Sequence, residues 1–245
     1  MTTETIYFDS EKKVSLTSYI LDTSKEMSDY QKHPAILIFP GGAYSFCSDR
    51  EAEPIAMAYL AEGYNAFILR YSLKEDSLFP RPLEDAERAL VHIRENAKKY
   101  NVYKDKIAVI GFSAGGHLAV AAATMGKVRP NAALLGYPCI LSSIGSVLYN
   151  PVPSLEKEVD EKTPPCFIFA TFGDTTVPIA NSLSFADALN NHKIPFELHV
   201  FTKGDHGLSL AKPVTANNNP DCVNPDFAQW FPMSVRWLRD ILKLK

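Results

Sequence analysis

Short, dense apolar runs alternate with helix-forming segments along most of the chain, and this alternation limits the fold more than any other feature of the sequence. The runs lie at 35–40, 65–71, 106–112, 131–137, 165–172 and 196–201. Such runs are typical of strands that are buried on both faces of a mostly parallel sheet. An earlier run, "VSLTSYIL" at 14–21, alternates apolar and polar residues and predicts an exposed antiparallel edge strand.

The segments between the runs have the spacing and end signals of helices. We predict helices at 51–63, 82–100, 178–192 and 232–245, and a further helix after Ser113. Gly63 is placed like the residue that closes a helix. Repeated β-α alternation implies a three-layer α/β fold, with a mostly parallel central sheet flanked by helices. We expect one domain over 1–245, in which 139–165 is a short insert that borders the pocket.

Composition excludes several classes of protein. The chain has 25 basic and 28 acidic residues, so its net charge of −3 offers no basic field for nucleic acid or an anionic membrane. The longest apolar stretches have the length of strands rather than membrane spans, and the N-terminal residues do not resemble a secretory signal. The four scattered cysteines are typical of reduced, packing cysteines, so we expect a cytoplasmic protein without a metal site.

Ser113 is the first candidate for chemistry. The stretch "VIGFSAGGHLAV" at 109–120 places it between two glycines, after a strand run and before an alanine-rich segment. Gly-x-Ser-x-Gly in this setting is typical of a nucleophile elbow, in which a serine occupies a strained turn and the glycines relieve crowding. The alternative is a compact turn without chemistry. Active sites in open parallel sheets lie at the carboxyl ends of strands, so the other strand ends decide between the two interpretations.

His206 is the candidate base among six histidines. It lies in "FTKGDHGLSL", a loop directly after the last strand run, from which an imidazole can reach over a serine. His117 lies on the helix that follows Ser113, so we expect it to be a buried structural histidine. The others stand at the amino end of a strand or within predicted elements: His33, His92, His192 and His199.

Asp174 is the candidate acid that would orient this base. It follows the strand run at 165–172 in "FATFGDTTVP". A helix cap or Asx turn is the alternative role, which this position also suits. Asp205 competes for the imidazole, but the side chains of neighbouring loop residues diverge. We therefore predict a Ser113–His206–Asp174 triad, in which the carboxylate fixes the tautomer of the base.

A third strand end, in "ILIFPGGAYSF", supplies donors for a developing oxyanion. Small residues at Gly41, Gly42 and Ala43 let backbone N–H groups approach a substrate closely, and the N–H of Ala114 completes the pair. A plain Pro-Gly-Gly turn is the alternative. Tyr44 in the same loop is either a contact for the alcohol group of the substrate or a packing aromatic.

Several motifs together resemble the α/β-hydrolases, within the esterase and lipase group. They are "FPGGAY", "LRYSL", "FPRPLEDAERALVHIRENA", "GFSAGGHLA", "GDTTVP" and "DHGLSL". From about residue 14 onward the chain is similar to hormone-sensitive-lipase-like carboxylesterases and acetyl-xylan-esterase-like enzymes. The resemblance implies the triad and the oxyanion donors named above, in the chain order serine, acid, histidine. One departure is Pro40, because such esterases usually carry His-Gly-Gly-Gly. The loop then lacks its usual support, and we expect Ala43 to have a negative φ.

The resemblance implies a serine carboxylesterase that hydrolyses small acyl esters, with acetylated sugars as candidates, through an acyl-enzyme on Ser113. No metal or organic cofactor is needed. The expected partner is a small-molecule ester, and self-association into a homo-oligomer is left open. The polar character of 139–165 favours a small substrate.

The alternatives are a non-catalytic binding protein on a hydrolase scaffold, a dienelactone-hydrolase-like enzyme, and a peptidase-like enzyme. Arg50 is a further residue near the oxyanion loop. It would either serve the site or form a salt bridge with Glu51 or Glu53.

Overall fold

One eight-stranded sheet forms the centre of the protein in the computed structural model, which describes residues 1–11 and 13–244. Its strands are β1 Thr2–Tyr7, β2 Ser15–Ile20, β3 His33–Phe39, β4 Asn65–Arg70, β5 Val102–Phe112, β6 Ala132–Gly136, β7 Cys166–Thr171 and β8 Phe196–Phe201. Their order across the sheet is β1-β2-β4-β3-β5-β6-β7-β8. The pairs β1/β2 and β2/β4 are antiparallel, and all strands from β4 to β8 pair in parallel. The mostly parallel sheet is therefore confirmed.

Among the described residues, five α-helices cover the two faces of the sheet. They are α1 Glu53–Ala61, α2 Arg81–Glu95, α3 Ala114–Thr124, α4 Ala180–Asn191 and α5 Trp230–Ile241. Helix α2 ends five residues before the predicted 82–100 helix does, and α5 starts two residues before the predicted 232–245 helix. The last residue of that prediction, Lys245, lies outside the described residues. Gly63 closes α1 with a φ of 87°, as the sequence predicted.

The core consists of two apolar layers, one on each face of the sheet. Strand β3 shows why: Ile36 and Ile38 face one layer, whereas Leu37 and Phe39 face the other, and all four are fully buried. The alternation of side chains along a strand sends neighbours to opposite faces, so an uninterrupted apolar run is what two covered faces require. Helices α1 and α5 cover the first face, and α2, α3 and α4 cover the second.

The edge of the sheet differs from the prediction. Strand β2 is antiparallel as predicted, but β1 pairs with its outer side, with Ile6 opposite Leu16. The prediction that 14–21 forms the edge strand is therefore wrong. The sequence "TTETIY" of β1 is polar and largely exposed, with only Ile6 packing in part against the core. Such a strand has too few apolar residues to show the alternation by which a half-buried strand is found.

Two further observations bear on the class of protein. Within the described parts of the chain, no helix has both the length and the apolar character needed to cross a bilayer. All four cysteines are free; Cys139 and Cys166 are buried, and Cys47 and Cys222 are partly exposed.

Candidate active site

Ser113 occupies the turn between β5 and α3. Its backbone has φ 54° and ψ −116°, a conformation that L-residues rarely adopt. Backbone hydrogen bonds hold the turn: Ser113 N donates to Gly136 O at 3.0 Å, and Cys139 N donates to Ser113 O at 3.1 Å. The side chain is thereby fixed at the carboxyl edge of the sheet, where the sequence analysis expected it.

The two glycines around Ser113 are required by close packing. A Cβ on Gly111 would lie 1.9 Å from Gly115 O, and a Cβ on Gly115 would lie 2.0 Å from Phe39 O. Both atoms belong to the backbone, so neither contact can be relieved by a side-chain rotation. The glycines let α3 begin directly against β3 and β5, and the strained serine follows from this close approach.

His206 lies over the serine, in the loop after β8. Its Nε2 is 2.8 Å from Ser113 Oγ and its Nδ1 is 2.7 Å from Asp174 Oδ2. With the proton on Nδ1 donated to the carboxylate, Nε2 is free to accept the serine proton. The Asp174 carboxylate is almost fully buried and the imidazole is partly exposed, at 1% and 18% of their side-chain surfaces. The structure therefore brings the three predicted residues together in the predicted order.

Asp174 fills both of the roles that the sequence left open. Its Oδ1 accepts the backbone N–H groups of Thr176 at 2.9 Å and Val177 at 2.7 Å, which is an Asx-type turn. Its Oδ2 remains for His206. Asp205 does not contact the imidazole in this way. It accepts hydrogen bonds from Thr175 and from His206 N, and the backbone bond from Thr175 is the main cause that lowers the pKa of Asp205.

The oxyanion loop, which we define as Pro40–Tyr44, follows β3. Ala43 has a φ of 58° and Tyr44 a φ of 59°, so the expectation of a negative φ at Ala43 is wrong. The loop tolerates this because contacts from distant segments fix it. Lys74 N donates to Tyr44 O at 2.7 Å, and Tyr149 N donates to Ala43 O at 2.9 Å. The Tyr71 hydroxyl donates to Pro40 O.

The predicted oxyanion donors are unused by the protein itself. Within 1–11 and 13–244, no acceptor takes the backbone N–H of Gly42, Ala43 or Ala114. Ala114 follows the serine as the first residue of α3, where the helix dipole favours negative charge. These N–H groups are therefore available to an anionic oxygen.

Tyr44 does not face the site, so the prediction of a substrate contact is wrong. The side chain is 1% exposed, and its hydroxyl bonds to His117 Nδ1 at 2.9 Å. The ring packs edge-on against Tyr71. The left-handed backbone at Tyr44 turns this side chain inward to the packing role that the sequence left as the alternative.

His117 is buried, as predicted. Its second ring nitrogen, Nε2, is 3.4 Å from Pro153 O, so the ring bridges Tyr44 and the 139–165 segment. Burial lowers the pKa of His117 to about 4, so the ring is neutral at physiological pH.

The segment 139–165 borders Ser113 and the oxyanion loop. Cys139 Sγ is 4.0 Å from Ser113 Oγ, and burial raises the pKa of the Cys139 thiol to about 12. Further along, the Asn150 amide donates to Lys74 O at 2.8 Å and the Tyr149 hydroxyl donates to Glu75 at 2.6 Å. On the other side of the site, a cavity of about 660 Å³ opens beside His206.

Sequence reasoning missed Glu51 and the role of Arg50. Arg50 forms no salt bridge with any described residue; its guanidinium donates to Gly207 O and Thr215 O, both at 2.6 Å. Glu51 is buried and accepts Gly41 N–H at 2.8 Å and the Tyr137 hydroxyl at 2.5 Å. A charged run such as "SDREAE" indicates a solvated surface, and nothing in its pattern indicates that one of its carboxylates is buried.

Across the described residues, no group of three or more histidine, cysteine or acidic side chains is arranged to hold a metal ion.

Comparisons with known proteins agree on one superfamily. The BD-FAE family model matches residues 21–135, and the prolyl oligopeptidase family model matches residues 147–218. The crystal structure of MGS-M1, an α/β hydrolase from a Medee basin deep-sea metagenome library, is 50% identical with a TM-score of 0.95. The match covers 100% of this chain and 99% of that one.

Two relatives are named for acetyl esters. An acetyl ester-xyloside bifunctional hydrolase from Caldicellulosiruptor lactoaceticus is 32% identical with a TM-score of 0.81, and the match covers 98% of this chain and 96% of that one. The acetylxylan esterase of Xylanibacter ruminicola is 30% identical over 72% of this chain and 41% of its own length. The chain spans about a third to two fifths of the length of the first curated relatives.

Proposed function

We propose a function from the premise that this chain belongs to the α/β-hydrolase superfamily and groups with carboxylic ester hydrolases. The proposal is that it hydrolyses small acyl esters through an acyl-enzyme on Ser113. The observation that carries the proposal is the pair of hydrogen bonds through His206, 2.8 Å to Ser113 Oγ and 2.7 Å to Asp174 Oδ2. A serine, a base and a buried carboxylate in this geometry form the arrangement that activates a hydroxyl for attack.

In the first step Ser113 Oγ attacks the ester carbonyl while His206 Nε2 takes the hydroxyl proton. The imidazolium is stabilised by Asp174, which is already turned towards Nδ1 by the two N–H groups bound to its other oxygen. The carbonyl oxygen becomes an oxyanion, which the N–H groups of Ala114 and of Gly42 or Ala43 receive. His206 then gives its proton to the leaving alcohol, and the acyl group stays on Ser113.

In the second step water replaces the alcohol. His206 removes a proton from this water as it attacks the acyl-enzyme, a second oxyanion forms on the same donors, and Ser113 leaves with the proton from the imidazolium. The 18% exposure of the imidazole supports this step, because a water molecule must reach Nε2.

We infer a small acyl group, with acetyl as the first choice. The Cys139 thiol lies 4.0 Å from Ser113 Oγ, and the 139–165 segment that borders the nucleophile carries Ser, Tyr and charged residues, which favours a small substrate. For the alcohol we propose an acetylated sugar, on the printed names of the relatives from C. lactoaceticus and X. ruminicola. A cytoplasmic location and the oligomeric state stay predictions from the sequence.

The test is turnover of p-nitrophenyl acetate by the wild type and by Ser113→Ala. We expect the substitution to lower kcat about 10⁴- to 10⁶-fold. Equal turnover by both proteins, or none by the wild type, would contradict the proposal and favour a binding protein on a hydrolase scaffold.

A series of p-nitrophenyl esters from acetyl to octanoyl then tests the acyl group, and acetate release from acetylated xylo-oligosaccharides tests the alcohol. A preference for octanoyl would overturn the small-acyl inference. Faster turnover of peptide p-nitroanilides than of esters would replace the esterase with a peptidase, the alternative to which the prolyl oligopeptidase match at 147–218 points.

A further inference from the structure

Glu51 is a buried carboxylate that the proposed reaction does not use. It is 4% exposed and lies in a short 3-10 turn at Asp49–Glu51. Burial raises the pKa of Glu51, and the hydrogen bonds from Tyr137 and Gly41 act in the opposite direction. A buried carboxylate is costly unless its oxygens are bonded, so these two partners are what keep it in place.

The two oxygens of Glu51 bond to different parts of the site. Oε2 accepts the N–H of Gly41, at the start of the oxyanion loop, at 2.8 Å. Oε1 accepts the hydroxyl of Tyr137, directly after β6, at 2.5 Å. A Cβ on Gly41 would lie 2.7 Å from Oε2 and 3.1 Å from the Cβ of Ser113, so Gly41 is in close contact with both the carboxylate and the nucleophile.

Tyr137 continues the connection to the loop that bears His206. Its hydroxyl accepts the N–H of Ser209 at 2.9 Å, and its ring packs edge-on against the imidazole of His206 with 5.0 Å between centroids. Tyr137 has a φ of 36° and Ser209 a φ of 54°. Strained residues persist only where their surroundings fix them, and they cluster at functional sites.

The same turn holds the His206 loop from a second side. Arg50 donates to Gly207 O, one residue after the base, and the hydroxyl of Ser209 donates to Arg50 O, both at 2.6 Å. The 3-10 turn therefore contacts the oxyanion loop on one side and the loop of His206 on the other. The two loops come from opposite ends of the chain, and nothing in their own sequences sets the distance between them.

We propose that Glu51 and Tyr137 are positioning residues: the Glu51 carboxylate and the Tyr137 hydroxyl hold the oxyanion donors and the imidazole of His206 at a fixed distance across Ser113. This inference rests on the proposed esterase activity. Its physical basis is preorganisation, because a displacement of about 1 Å between reacting groups costs on the order of 100-fold in rate. The bonds to Glu51 also supply support to a loop that has Pro40 where related esterases carry histidine.

The first experiment compares Tyr137→Phe with Tyr59→Phe. Both substitutions remove a buried hydroxyl, but Tyr59 bonds to Ser234, between α1 and α5. Tyr137→Phe keeps the ring against His206. We expect it to lower kcat for p-nitrophenyl acetate about 10- to 100-fold with KM within about twofold, whereas Tyr59→Phe stays within about twofold of the wild type in both.

The second experiment compares Glu51→Gln with Glu51→Ala. The amide oxygen of glutamine can still accept Gly41 N–H, and its NH₂ group can donate to the Tyr137 oxygen. We therefore expect Glu51→Gln to recover a large part of the kcat that Glu51→Ala loses. Unchanged kcat per folded molecule in both Tyr137→Phe and Glu51→Ala would overturn the proposal while leaving the esterase in place.

Hydrogen–deuterium exchange separates this inference from the proposed function. Tyr137→Phe removes the acceptor of Ser209 N–H, so we expect faster exchange over 202–212 than in the wild type or in Tyr59→Phe. If the wild type shows no Ser113-dependent turnover, the esterase proposal fails. The exchange experiment then still tests whether Glu51 and Tyr137 position the loop of His206. Unchanged exchange over 202–212 in Tyr137→Phe would then overturn it.

Discussion

The elbow at Ser113 and the oxyanion loop at Pro40–Tyr44 face the same point in space but are built in different ways. The residues that make the elbow possible lie within two positions of Ser113: Gly111 and Gly115 let α3 pack directly on the sheet, and backbone bonds to Gly136 and Cys139 then hold the turn. The oxyanion loop is fixed by residues far along the chain. Its carbonyls and N–H groups bind Tyr71, Tyr149 and Glu51.

The two regions therefore differ in what imposes the strained backbone: the elbow's own motif in one, and distant partners in the other. Both regions contain non-glycine residues with positive φ, Ser113 in the elbow and Ala43 and Tyr44 in the loop. In the elbow the strain follows from packing that the motif itself dictates. In the loop it is imposed by partners that no local pattern indicates. Substitutions should therefore act differently in the two regions.

After that of Ser113, the largest effect is expected at Asp174, which combines a local turn with a remote bond. In Asp174→Asn the N–H groups of Thr176 and Val177 require the amide oxygen at the Oδ1 position, so the NH₂ group faces His206. It cannot accept the Nδ1 proton, and the imidazole is left in the wrong tautomer. We expect kcat for p-nitrophenyl acetate to fall about 10⁴-fold.

The melting temperature of Asp174→Asn should stay near that of the wild type, because the turn is retained. A large drop in melting temperature with the loss of activity would mean that the turn and the imidazole bond are not separable. The Asp205→Asn variant is the control, because Asp205 is held by Thr175 and does not bond to the ring.

The elbow itself is tested by Gly115→Ala. The new Cβ would meet Phe39 O at 2.0 Å and Pro40 O at 2.6 Å, so either α3 or β3 has to shift. We expect a loss of about 3 kcal/mol in the free energy of unfolding, measured by urea denaturation. Gly145→Ala is the matched control: its nearest atom is Ser142 O at 3.4 Å and its φ is −52°. Equal stability of the two variants would contradict the packing explanation.

The contrast also explains what the sequence could predict. The fold class was predictable from the alternation of apolar runs and helical segments. Ser113, Asp174 and His206 could be proposed because each lies in the loop after an apolar run and belongs to a short motif with a known geometry. Strand β1 was missed because its six residues are mostly polar and exposed. The helix and strand ends shifted by a few residues because capping and fraying depend on tertiary contacts.

The shape of the oxyanion loop could not be predicted in the same way. Ala43, with its positive φ, is held by the N–H of Tyr149, and the inward side chain of Tyr44 bonds to His117, 73 residues away in the chain. The burial of Glu51 depends on Tyr137, 86 residues away. Partners at this separation leave no periodic pattern, so composition and spacing indicate neither the burial of Glu51 nor the bonds of Arg50 to the loop of His206.

A remote support of the loop is tested by Tyr71→Phe, which removes the hydroxyl that donates to Pro40 O. The buried carbonyl is left without this donor, so we expect a loss of about 1–2 kcal/mol in the free energy of unfolding and a lower kcat. Tyr64→Phe is the control. The Tyr64 hydroxyl is equally buried and has no hydrogen-bond partner among the described residues. Its removal should leave stability unchanged or raise it by up to about 1 kcal/mol.

The smallest expected change in stability is that of Ala43→Gly, which tests whether the backbone at Ala43 is strained. Ala43→Gly relieves a left-handed conformation that costs an L-residue about 1–2 kcal/mol, against the extra chain entropy of glycine, about 0.5–1 kcal/mol. We therefore expect a gain of about 0.5 kcal/mol at φ 58°. The same substitution at Ala188, inside α4, should cost about 1 kcal/mol. Changes of opposite sign in the free energy of unfolding would support the strained, left-handed backbone at Ala43, and a loss at both positions would mean that the loop adopts a negative φ in solution.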